Sequence, residues 1–445
     1  MSVNADFADE TAVPEPIVFD RPRVAVLPES DPFYVPPKGW ERLAPGTILH
    51  RRSVTISAFG RIRQSLTAWQ LLYRTTDLNG AADTTVVTIL IPPASGTELR
   101  PRILSFQCAT DAVASRCFPS YSLQQGAKVN GAVPPFELFL IGAALERGWI
   151  VCAADHEGML GAFGAPREPG YRSLDGIRAA INFAPLALAG DTPAGLFGYS
   201  GGGMATAWTA EMADAYAPEL NIVGAAAGSP VGDPASTFLR LNATAFAGLP
   251  SLVIAGLRRV SPELDAVITE FGTPEGHRRL RMLESQATVG AVLRSVRTDW
   301  DDFLTEPLAD VLARPAIVEL FRTLQLGGNA PSMPMLVVQS VHDQLIAVGD
   351  VDGAVQRYTA GGAHVTYLRD KLSEHLTLAV FAAPLMFDWL GDRFEGHPVP
   401  EAGTRTVWTV LSSRRSCLEL ARFIHLTTRM LLGRTIRVRR SNTAS

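Results

Sequence analysis

A serine stands among glycines at positions 198 to 202, in the run Gly-Tyr-Ser-Gly-Gly. Ser200 follows a short apolar run and precedes an alanine-rich one, which is typical of a strand, a sharp turn and a helix. Such a turn holds a hydroxyl clear of the backbone, where it can attack an electrophilic carbon. The same pattern also fits a tight glycine turn without chemistry, so the motif alone leaves both interpretations open.

A hydroxyl becomes a useful nucleophile only when a base removes its proton, and a carboxylate must orient that base. Asp343 closely follows the strand-like run 334–340, and His375 follows the strand-like run 364–368 after a short loop. Both residues therefore lie past the carboxyl ends of predicted strands, in the chain order serine, acid, histidine that this motif requires. We predict that Ser200, Asp343 and His375 form a catalytic triad for acyl transfer.

Other side chains compete for these roles. His156 lies just beyond a predicted buried strand at 149–154 and is the strongest alternative histidine, although it could instead shape the site or a turn. His342 and His364 are interpreted as a loop residue and a structural residue. Asp350 is the alternative acid, and its other role would be to cap a helix N-terminus.

The oxyanion of the tetrahedral intermediate needs two hydrogen-bond donors. One is normally the amide of the residue after the nucleophile, here Gly201, and the other comes from the loop after an earlier strand. The strand-like run 102–106 ends in the loop 107–111. The residue types do not choose among the five members of that loop.

The elements that position these residues alternate along the chain. Strand-like runs lie at 71–74, 85–91, 102–106, 149–154, 221–227, 334–340 and 364–368, and helix-like runs lie at 136–147, 173–183, 351–359 and 376–390. Such alternation predicts an α/β fold with a mostly parallel sheet that helices cover on both faces. From about 234 to 326 only helix-like segments occur, which indicates a helical insertion.

Five parts follow from this pattern. We predict an extended N-terminal arm at 1–37, a first core part at 38–229, a helical lid at 230–330, a second core part with the acid and the histidine at 331–398, and a basic tail at 399–445. The tail has nine arginines against Glu401 and Glu419. It could form a basic amphipathic helix on an anionic membrane, a frayed terminus, or a helix packed on the core.

The amino-acid composition limits the classes of function that the chain can have. The 445 residues are 47% hydrophobic with a formal net charge of −4, which indicates a folded protein and gives no reason to expect nucleic-acid binding. The four cysteines lack metal-ligand spacing, although Cys108 and Cys117 could pair in an exported protein. The first thirty residues show no signal peptide, and no apolar run is long enough to span a bilayer.

Several motifs in one order resemble the secretory lipase family, of the fungal lipase A type. The resemblance extends from about residue 31 to 398 and rests on DPFYVPP (31–37), CFPSYSLQQG (117–126), IVCAADHEG (150–158), YRSLDGIRAA (171–180), GYSGG (198–202), YAPELNIVGAAAG (216–228) and SEHL (373–376). The chain departs from the family in lacking a proline before Asp343.

The resemblance implies an α/β-hydrolase fold and the same triad of Ser200, Asp343 and His375. It also implies that Asp111 and Gly201 form the oxyanion hole, and that the helical lid houses an acyl-binding channel. The family is usually exported, whereas this chain shows no signal peptide, so a cytoplasmic or membrane-peripheral location also remains open.

The expected function is a serine-dependent lipase that cleaves carboxylic esters of lipids through an acyl-enzyme intermediate, with no metal or organic cofactor. The expected partner is a lipid ester substrate, and peripheral membrane contact through the basic tail is one of the open alternatives for that segment. A short-chain carboxylesterase or an acyltransferase would use the same triad. A noncatalytic lipid-binding protein with this fold is the alternative from another class.

Overall fold

The computed structural model describes residues 15–94 and 100–439. Its strands are β1 (Ile17–Val18), β2 (Ile48–Val54), β3 (Ser57–Ala58), β4 (Ile62–Arg63), β5 (Thr67–Thr76), β6 (Ala82–Ile91), β7 (Ile103–Gln107), β8 (Ile150–Ala154), β9 (Ala194–Tyr199), β10 (Ile222–Gly228), β11 (Met335–Ser340), β12 (Val365–Asp370) and β13 (Gly403–Val407).

The helices are α1 (Pro119–Ser122), α2 (Pro134–Glu146), α3 (Glu168–Ile181), α4 (Gly201–Tyr216), α5 (Pro234–Leu241), α6 (Gly248–Leu257), α7 (Pro262–Phe271), α8 (Pro274–Leu283), α9 (Thr288–Arg294), α10 (Leu308–Leu312), α11 (Pro315–Leu324), α12 (Val348–Ala360), α13 (His375–Phe394) and α14 (Arg414–Leu431). Every strand and helix predicted from the sequence overlaps one of these elements.

Eleven strands form one sheet in the order β1-β2-β5-β6-β8-β7-β9-β10-β11-β12-β13. Neighbours from β8 to β13 pair in parallel, whereas β2, β5, β6 and β8 pair antiparallel in turn. The parallel part places the carboxyl ends of β7, β9, β11 and β12 at one edge of the sheet, where their loops meet. The predicted mostly parallel α/β sheet is confirmed.

Two hydrophobic cores lie on the two faces of the sheet. Leu196 in β9 faces α3 and α4, and its neighbour Phe197 faces α2 and α13. Successive side chains of a strand point to opposite faces, so a strand covered on both sides must be apolar at every position. This is why β9 and β11 are continuous buried runs rather than alternating ones.

The chain before β2 lies along the core. β1 pairs in parallel with β2, and Phe33 is fully buried. Asp31 pairs with the buried Arg52 of β2 at 2.6 Å, which neutralises a charge inside the protein. Residues 1–14 of the predicted arm lie outside the described residues.

Helices α5 to α11 follow one another between β10 and β11, in the place predicted for the lid. They have a hydrophobic core of their own, in which Leu252, Leu280 and Trp300 are buried. The segment therefore packs partly on itself and partly on the loops at the edge of the sheet.

The C-terminal residues add an edge strand and a helix. β13 pairs in parallel with β12, although its residues are mostly exposed and gave no strand pattern in the sequence. α14 packs on α2 and α13 through the buried side chains of Leu426 and Met430. Of the arrangements considered for the tail, the helix packed on the core is the observed one. Among the described residues no helix is both long and apolar enough to cross a membrane.

The four cysteines are free thiols, so the suggested Cys108–Cys117 disulfide is not formed. Burial beside the Glu137 carboxyl raises the pKa of the Cys108 thiol well above its usual value. Burial likewise raises the pKa of the Cys117 thiol to about 12. Both side chains are thus fixed as protonated thiols in separate surroundings.

Candidate active site

Ser200 stands at the turn between β9 and α4. Its φ of 57° lies in the left-handed region, which a residue other than glycine adopts only when the surrounding structure enforces it. A Cβ at Gly198 would lie 2.1 Å from the carbonyl oxygen of Gly202, so only glycine allows the turn to close this tightly. The turn is the strained strand-to-helix geometry that the sequence motif predicts.

Ser200, His375 and Asp343 lie in hydrogen-bond contact. The Ser200 Oγ is 2.9 Å from Nε2 of His375, and Nδ1 of His375 is 2.7 Å from Oδ2 of Asp343. An ionised carboxylate can only accept, so Nδ1 carries the imidazole proton and Nε2 is left to accept from the serine hydroxyl. The three predicted side chains thus lie in the arrangement that a nucleophile, a base and an orienting acid would require.

The carboxylate of Asp343 is held in its charged form. Burial alone would raise its pKa, but the hydrogen bond and charge of His375 and the amides of Leu345 and Ile346 lower the pKa below its usual value. Those two amides donate to Oδ1 at 2.8 Å, and the Gln339 amide donates to Oδ2 at 3.1 Å. A charged Asp343 stabilises the imidazolium that forms when His375 takes a proton.

His375 is the first residue of α13, where Glu374 caps the helix by accepting from the amides of Leu376 and Thr377. The hydroxyl of Tyr199 donates to the carbonyl oxygen of His375 at 2.6 Å. Tyr199 precedes the serine on β9, so one contact links the nucleophile turn to the histidine backbone. The His375 ring is therefore fixed from both sides of the site.

The alternative residues have other roles. Burial lowers the pKa of His156 to about 4, and its Nε2 contacts the carbonyl oxygen of Cys108 at 2.8 Å, so it shapes the loop after β7. Asp350 lies in the first turn of α12, whose N-cap residue is Ala347. The N-cap interpretation of Asp350 is wrong, although an acidic side chain in the first turn still complements the helix dipole.

Asp111 meets the nucleophile turn from the loop after β7. A Cβ at Gly201 would stand 1.9 Å from Oδ1 of Asp111, so the carboxyl lies against the first residue of α4. This Oδ1 is buried and has no hydrogen-bond partner among the described residues. Burial raises the pKa of Asp111 to about 6, and the charge that His375 carries when it is protonated opposes that shift. A neutral Asp111 can donate its carboxyl proton towards the site.

The loop that carries Asp111 is held by contacts from two directions. Both carboxyl oxygens of Glu137 in α2 accept from the amide of Ala109, at 3.1 and 3.0 Å. From the lid, the hydroxyl of Thr288 lies 3.1 Å from the carbonyl oxygens of both Thr110 and Asp111. These contacts secure a backbone that is strained at Asp111, whose φ is 45°.

An apolar cavity opens at these residues. Ser200, Gly201 and Asp111 line one end, and the rest of its wall is almost entirely aliphatic and aromatic. Most of that wall comes from the helices between β10 and β11, including Phe238, Val253, Ile268 and Phe321. Among the described residues no cluster of His, Cys, Asp and Glu has the arrangement of a metal site.

Comparison with known proteins places the chain in a family. The family model for secretory lipases matches residues 123–402. A Malassezia globosa protein named secreted triacylglycerol lipase LIP4 is 34% identical over 384 residues, which are 83% of this chain and 82% of that protein. The chain belongs to the secretory lipase family.

Two further relatives bear on the fold and on the activity. Candida antarctica lipase A, whose structure is solved, superposes with a TM-score of 0.82 at 27% identity, covering 91% of this chain and 95% of that chain. The α/β-hydrolase fold is thereby confirmed. A Mycobacterium tuberculosis protein named probable inactive lipase MT1628 is 47% identical over 411 residues, with 92% of each chain covered. Membership of the family therefore does not by itself establish that this chain is catalytically active.

Sequence reasoning missed several polar residues that support the candidate site. Gln339 had a readable signal, because it is an amide that follows four apolar residues in a buried strand, four residues before Asp343. Tyr199 lies within the glycine-serine motif itself. Thr288 and Glu137 had no signal, since each is far from the loop 107–111 in the chain and meets it only in the folded protein.

Proposed function

We propose that this member of the secretory lipase family hydrolyses carboxylic esters of lipids with Ser200 as its nucleophile. The supporting observation is the contact of Ser200 with His375 and of His375 with Asp343, at 2.9 and 2.7 Å, at one end of an apolar cavity. A polar reacting centre beside an apolar chamber suits a substrate with one ester group and a long hydrocarbon chain.

In the first half-reaction, Oγ of Ser200 attacks the ester carbonyl carbon while Nε2 of His375 takes the hydroxyl proton. The carbonyl electron pair moves to its oxygen, which becomes the oxyanion. When the intermediate collapses, the bond to the alcohol oxygen breaks and His375 returns the proton to that leaving group. The products are a free alcohol and an acyl group bound to Ser200.

We assign the oxyanion to the amide of Gly201 and the protonated carboxyl of Asp111. Both groups lie on the side of Ser200 that faces the cavity, and the buried Oδ1 of Asp111 has no partner in the described residues. An ionised Asp111 would repel the developing negative charge, so the neutral acid is the active form. The raised pKa of Asp111, about 6, supports a neutral fraction under mildly acidic conditions.

In the second half-reaction, His375 takes a proton from water as the water oxygen attacks the acyl carbon. The second intermediate collapses by breaking the bond to Oγ, and His375 returns the proton to Ser200. A fatty acid leaves and the resting site is restored. The acyl chain occupies the apolar cavity throughout, because exposing it to water would forfeit the hydrophobic free energy of binding.

A noncatalytic lipid-binding role is the second candidate. The observation that favours it is the name of the mycobacterial relative, a probable inactive lipase with 47% identity to this chain. Against it stands the Ser200, His375 and Asp343 arrangement, since binding alone does not require the contact of Oγ with Nε2.

A fluorophosphonate probe separates the two candidates, because it bonds covalently only to an activated serine. We expect the purified protein to be labelled once, with the adduct on Ser200 by peptide mass spectrometry, and Ser200→Ala to remain unlabelled. Ser285→Ala is the matched control and should label like the parent, because Ser285 is exposed and its hydroxyl donates to the carbonyl oxygen of Met282 rather than to His375. Equal labelling of the parent and Ser200→Ala, or no labelling of either, would reject the proposal.

Chain-length profiling then separates a lipase from a short-chain esterase or an acyltransferase. We expect kcat/KM for p-nitrophenyl esters to rise from acetate towards longer chains, because each added methylene enters the apolar cavity. Hydrolysis of emulsified triacylglycerol should accompany this trend. A maximum at acetate would identify a short-chain esterase, and an ester product formed in place of fatty acid when alcohol is present would identify an acyltransferase.

A further inference from the structure

Helix α14 has one buried face and one exposed face. Glu419, Leu426 and Met430 are buried against the core, and the hydroxyl of Ser413 caps the first turn. The solvent-exposed part of the helix includes Leu418, Ile424 and Leu431, whose exposures are 52%, 56% and 42%. A helix docked on a globular core normally turns polar side chains to water, so this outer face needs a separate explanation.

Two further apolar side chains extend the exposed face. Leu432, the C-cap residue of α14, is 64% exposed, and Trp408, between β13 and α14, is 69% exposed. Single exposed apolar residues are ordinary, but several along four turns of one helix and its flanks form an apolar surface. We call the exposed face of α14 together with Trp408 the outer surface.

Positive charge surrounds the outer surface. Residues 403–439 contain eight arginines and one acidic residue, Glu419, whereas the whole chain has a formal net charge of −4. Glu419 is buried and already paired with Arg422 and Arg439. In the described part of the chain, no carboxylate forms an ion pair with Arg414, Arg429, Arg434 or Arg437. The rest of the protein carries a net negative charge, so positive charge is concentrated in the C-terminal residues.

We propose that the outer surface binds the surface of an anionic lipid bilayer, with α14 lying in the plane of the interface. The aliphatic side chains and Trp408 would enter the boundary between headgroups and acyl chains, while the arginines extend to the lipid phosphates. A second copy of this chain fits less well, because a twofold contact would place the arginine-rich surface against itself. The inference rests on α14 and the residues that flank it, and it does not depend on ester hydrolysis.

Vesicle sedimentation tests the proposal with the full chain. The parent is Ser200→Ala, so that the vesicle lipids cannot be cleaved through Ser200. It is mixed with vesicles of pure phosphatidylcholine or of phosphatidylcholine with 30% phosphatidylglycerol, about the anionic content at which surface potential attracts basic segments. We expect at least tenfold stronger partitioning to the anionic vesicles, and its loss at about 0.5 M salt, where charges are screened within a few ångströms.

Two sets of substitutions separate the contributions of the apolar side chains and of the arginines to vesicle binding. One variant removes apolar side chains and carries Leu418→Gln, Ile424→Gln and Leu432→Gln together. A second variant removes charge and carries Arg414→Gln, Arg429→Gln, Arg434→Gln and Arg437→Gln. Each variant should partition to anionic vesicles about tenfold or more weakly than the parent. The matched control removes the same charge from exposed arginines elsewhere, as Arg116→Gln, Arg278→Gln, Arg281→Gln and Arg322→Gln, and should bind within twofold of the parent. Equal binding by all variants, or failure of the parent to bind, would overturn the proposal.

Cys417 offers a readout that needs no disruptive variant. It is exposed on α14, whereas Cys108, Cys117 and Cys152 are buried, so a thiol-reactive, polarity-sensitive fluorophore will label this position selectively. A blue shift with anionic vesicles and none with neutral vesicles is expected. No shift with either vesicle would contradict insertion of the outer surface. A blue shift without vesicles, together with a dimer in sedimentation, would identify a second copy as the occupant.

Discussion

At the scale of single residues, the proposed mechanism requires two neighbouring groups of the site to be in opposite protonation states. In the proposed mechanism, Ser200 needs a neutral His375 as its base, whereas Asp111 must hold a proton to donate one to the oxyanion. The surroundings of the two acids of the site shift their pKa values in opposite directions. Asp343 is surrounded by donors that lower its pKa, and Asp111 has a buried, unpartnered Oδ1 among the described residues and a raised pKa of about 6.

The pH dependence of Asp111→Asn tests this division of roles. For the parent, kcat/KM on a soluble ester should fall as pH rises above about 6, by about tenfold per pH unit, because the neutral acid is lost. An asparagine amide donates at every pH, so this fall should be absent in Asp111→Asn. A parent profile that stays level from pH 6 to 8, or a variant that keeps the decline, would exclude Asp111 as a proton-dependent donor.

At the scale of elements, the lid helices contact both loops that supply the site. Arg240 of α5 donates to the carbonyl oxygen of Asp343 at 2.7 Å, and Thr288, the first residue of α9, contacts the loop of Asp111. The lid is thus tied to the orienting acid and to the proposed oxyanion donor by single hydrogen bonds. Such bonds are worth about 1 kcal/mol each, small enough to break when a lid moves.

Replacing Thr288 tests whether the lid positions Asp111. Thr288→Val keeps the shape of the side chain but leaves the carbonyl oxygens of Thr110 and Asp111 without their donor. We expect kcat to fall about three- to tenfold, as the loss of about 1 kcal/mol predicts, with KM changed less than twofold. Thr288→Ser keeps the hydroxyl and should restore kcat. Equal loss in both variants, or a change confined to the melting temperature, would indicate a purely structural contact.

At the scale of the whole molecule, the core behind the site holds several acids away from water. Burial raises the pKa of Asp155 to about 7 and that of Glu137 to about 8. In the unfolded chain these groups ionise near pH 4, so between pH 4 and 8 the folded state binds more protons than the unfolded state. Their contribution to the free energy of unfolding therefore decreases as pH rises through that range.

Calorimetry at two pH values measures this effect. The melting temperature should be lower at pH 8 than at pH 5.5, by about 3 °C or more. At pH 8 the acids ionise readily in the unfolded chain, where water solvates them, whereas the folded core disfavours their charged form. The glutamine in Glu137→Gln is neutral at both pH values, so this variant should show a smaller difference between its two melting temperatures. Glu275→Gln on the exposed surface is the control and should leave it unchanged. A higher melting temperature at pH 8 would contradict the assignment.

The triad could be predicted from the sequence because its signals are local. Ser200 is identified by the glycines of its own turn, and Asp343 and His375 are each identified by the apolar strand that precedes them. A parallel sheet brings the carboxyl ends of its strands to one edge, so chain order and strand positions were enough to expect these side chains together. The arrangement of strands and helices followed from the same periodic patterns.

Only the tertiary structure decided which groups surround the triad. The residue types left the loop 107–111 open, and it is the packing of that loop against α4 that sets Asp111 beside Gly201. Thr288 and Glu137 are distant in the chain, and β13 is too exposed to show an apolar pattern. The tail likewise permitted several arrangements until Leu426 and Met430 were seen on the core. Contacts between distant segments depend on how whole elements pack, whereas the sequence records mainly what each element buries locally.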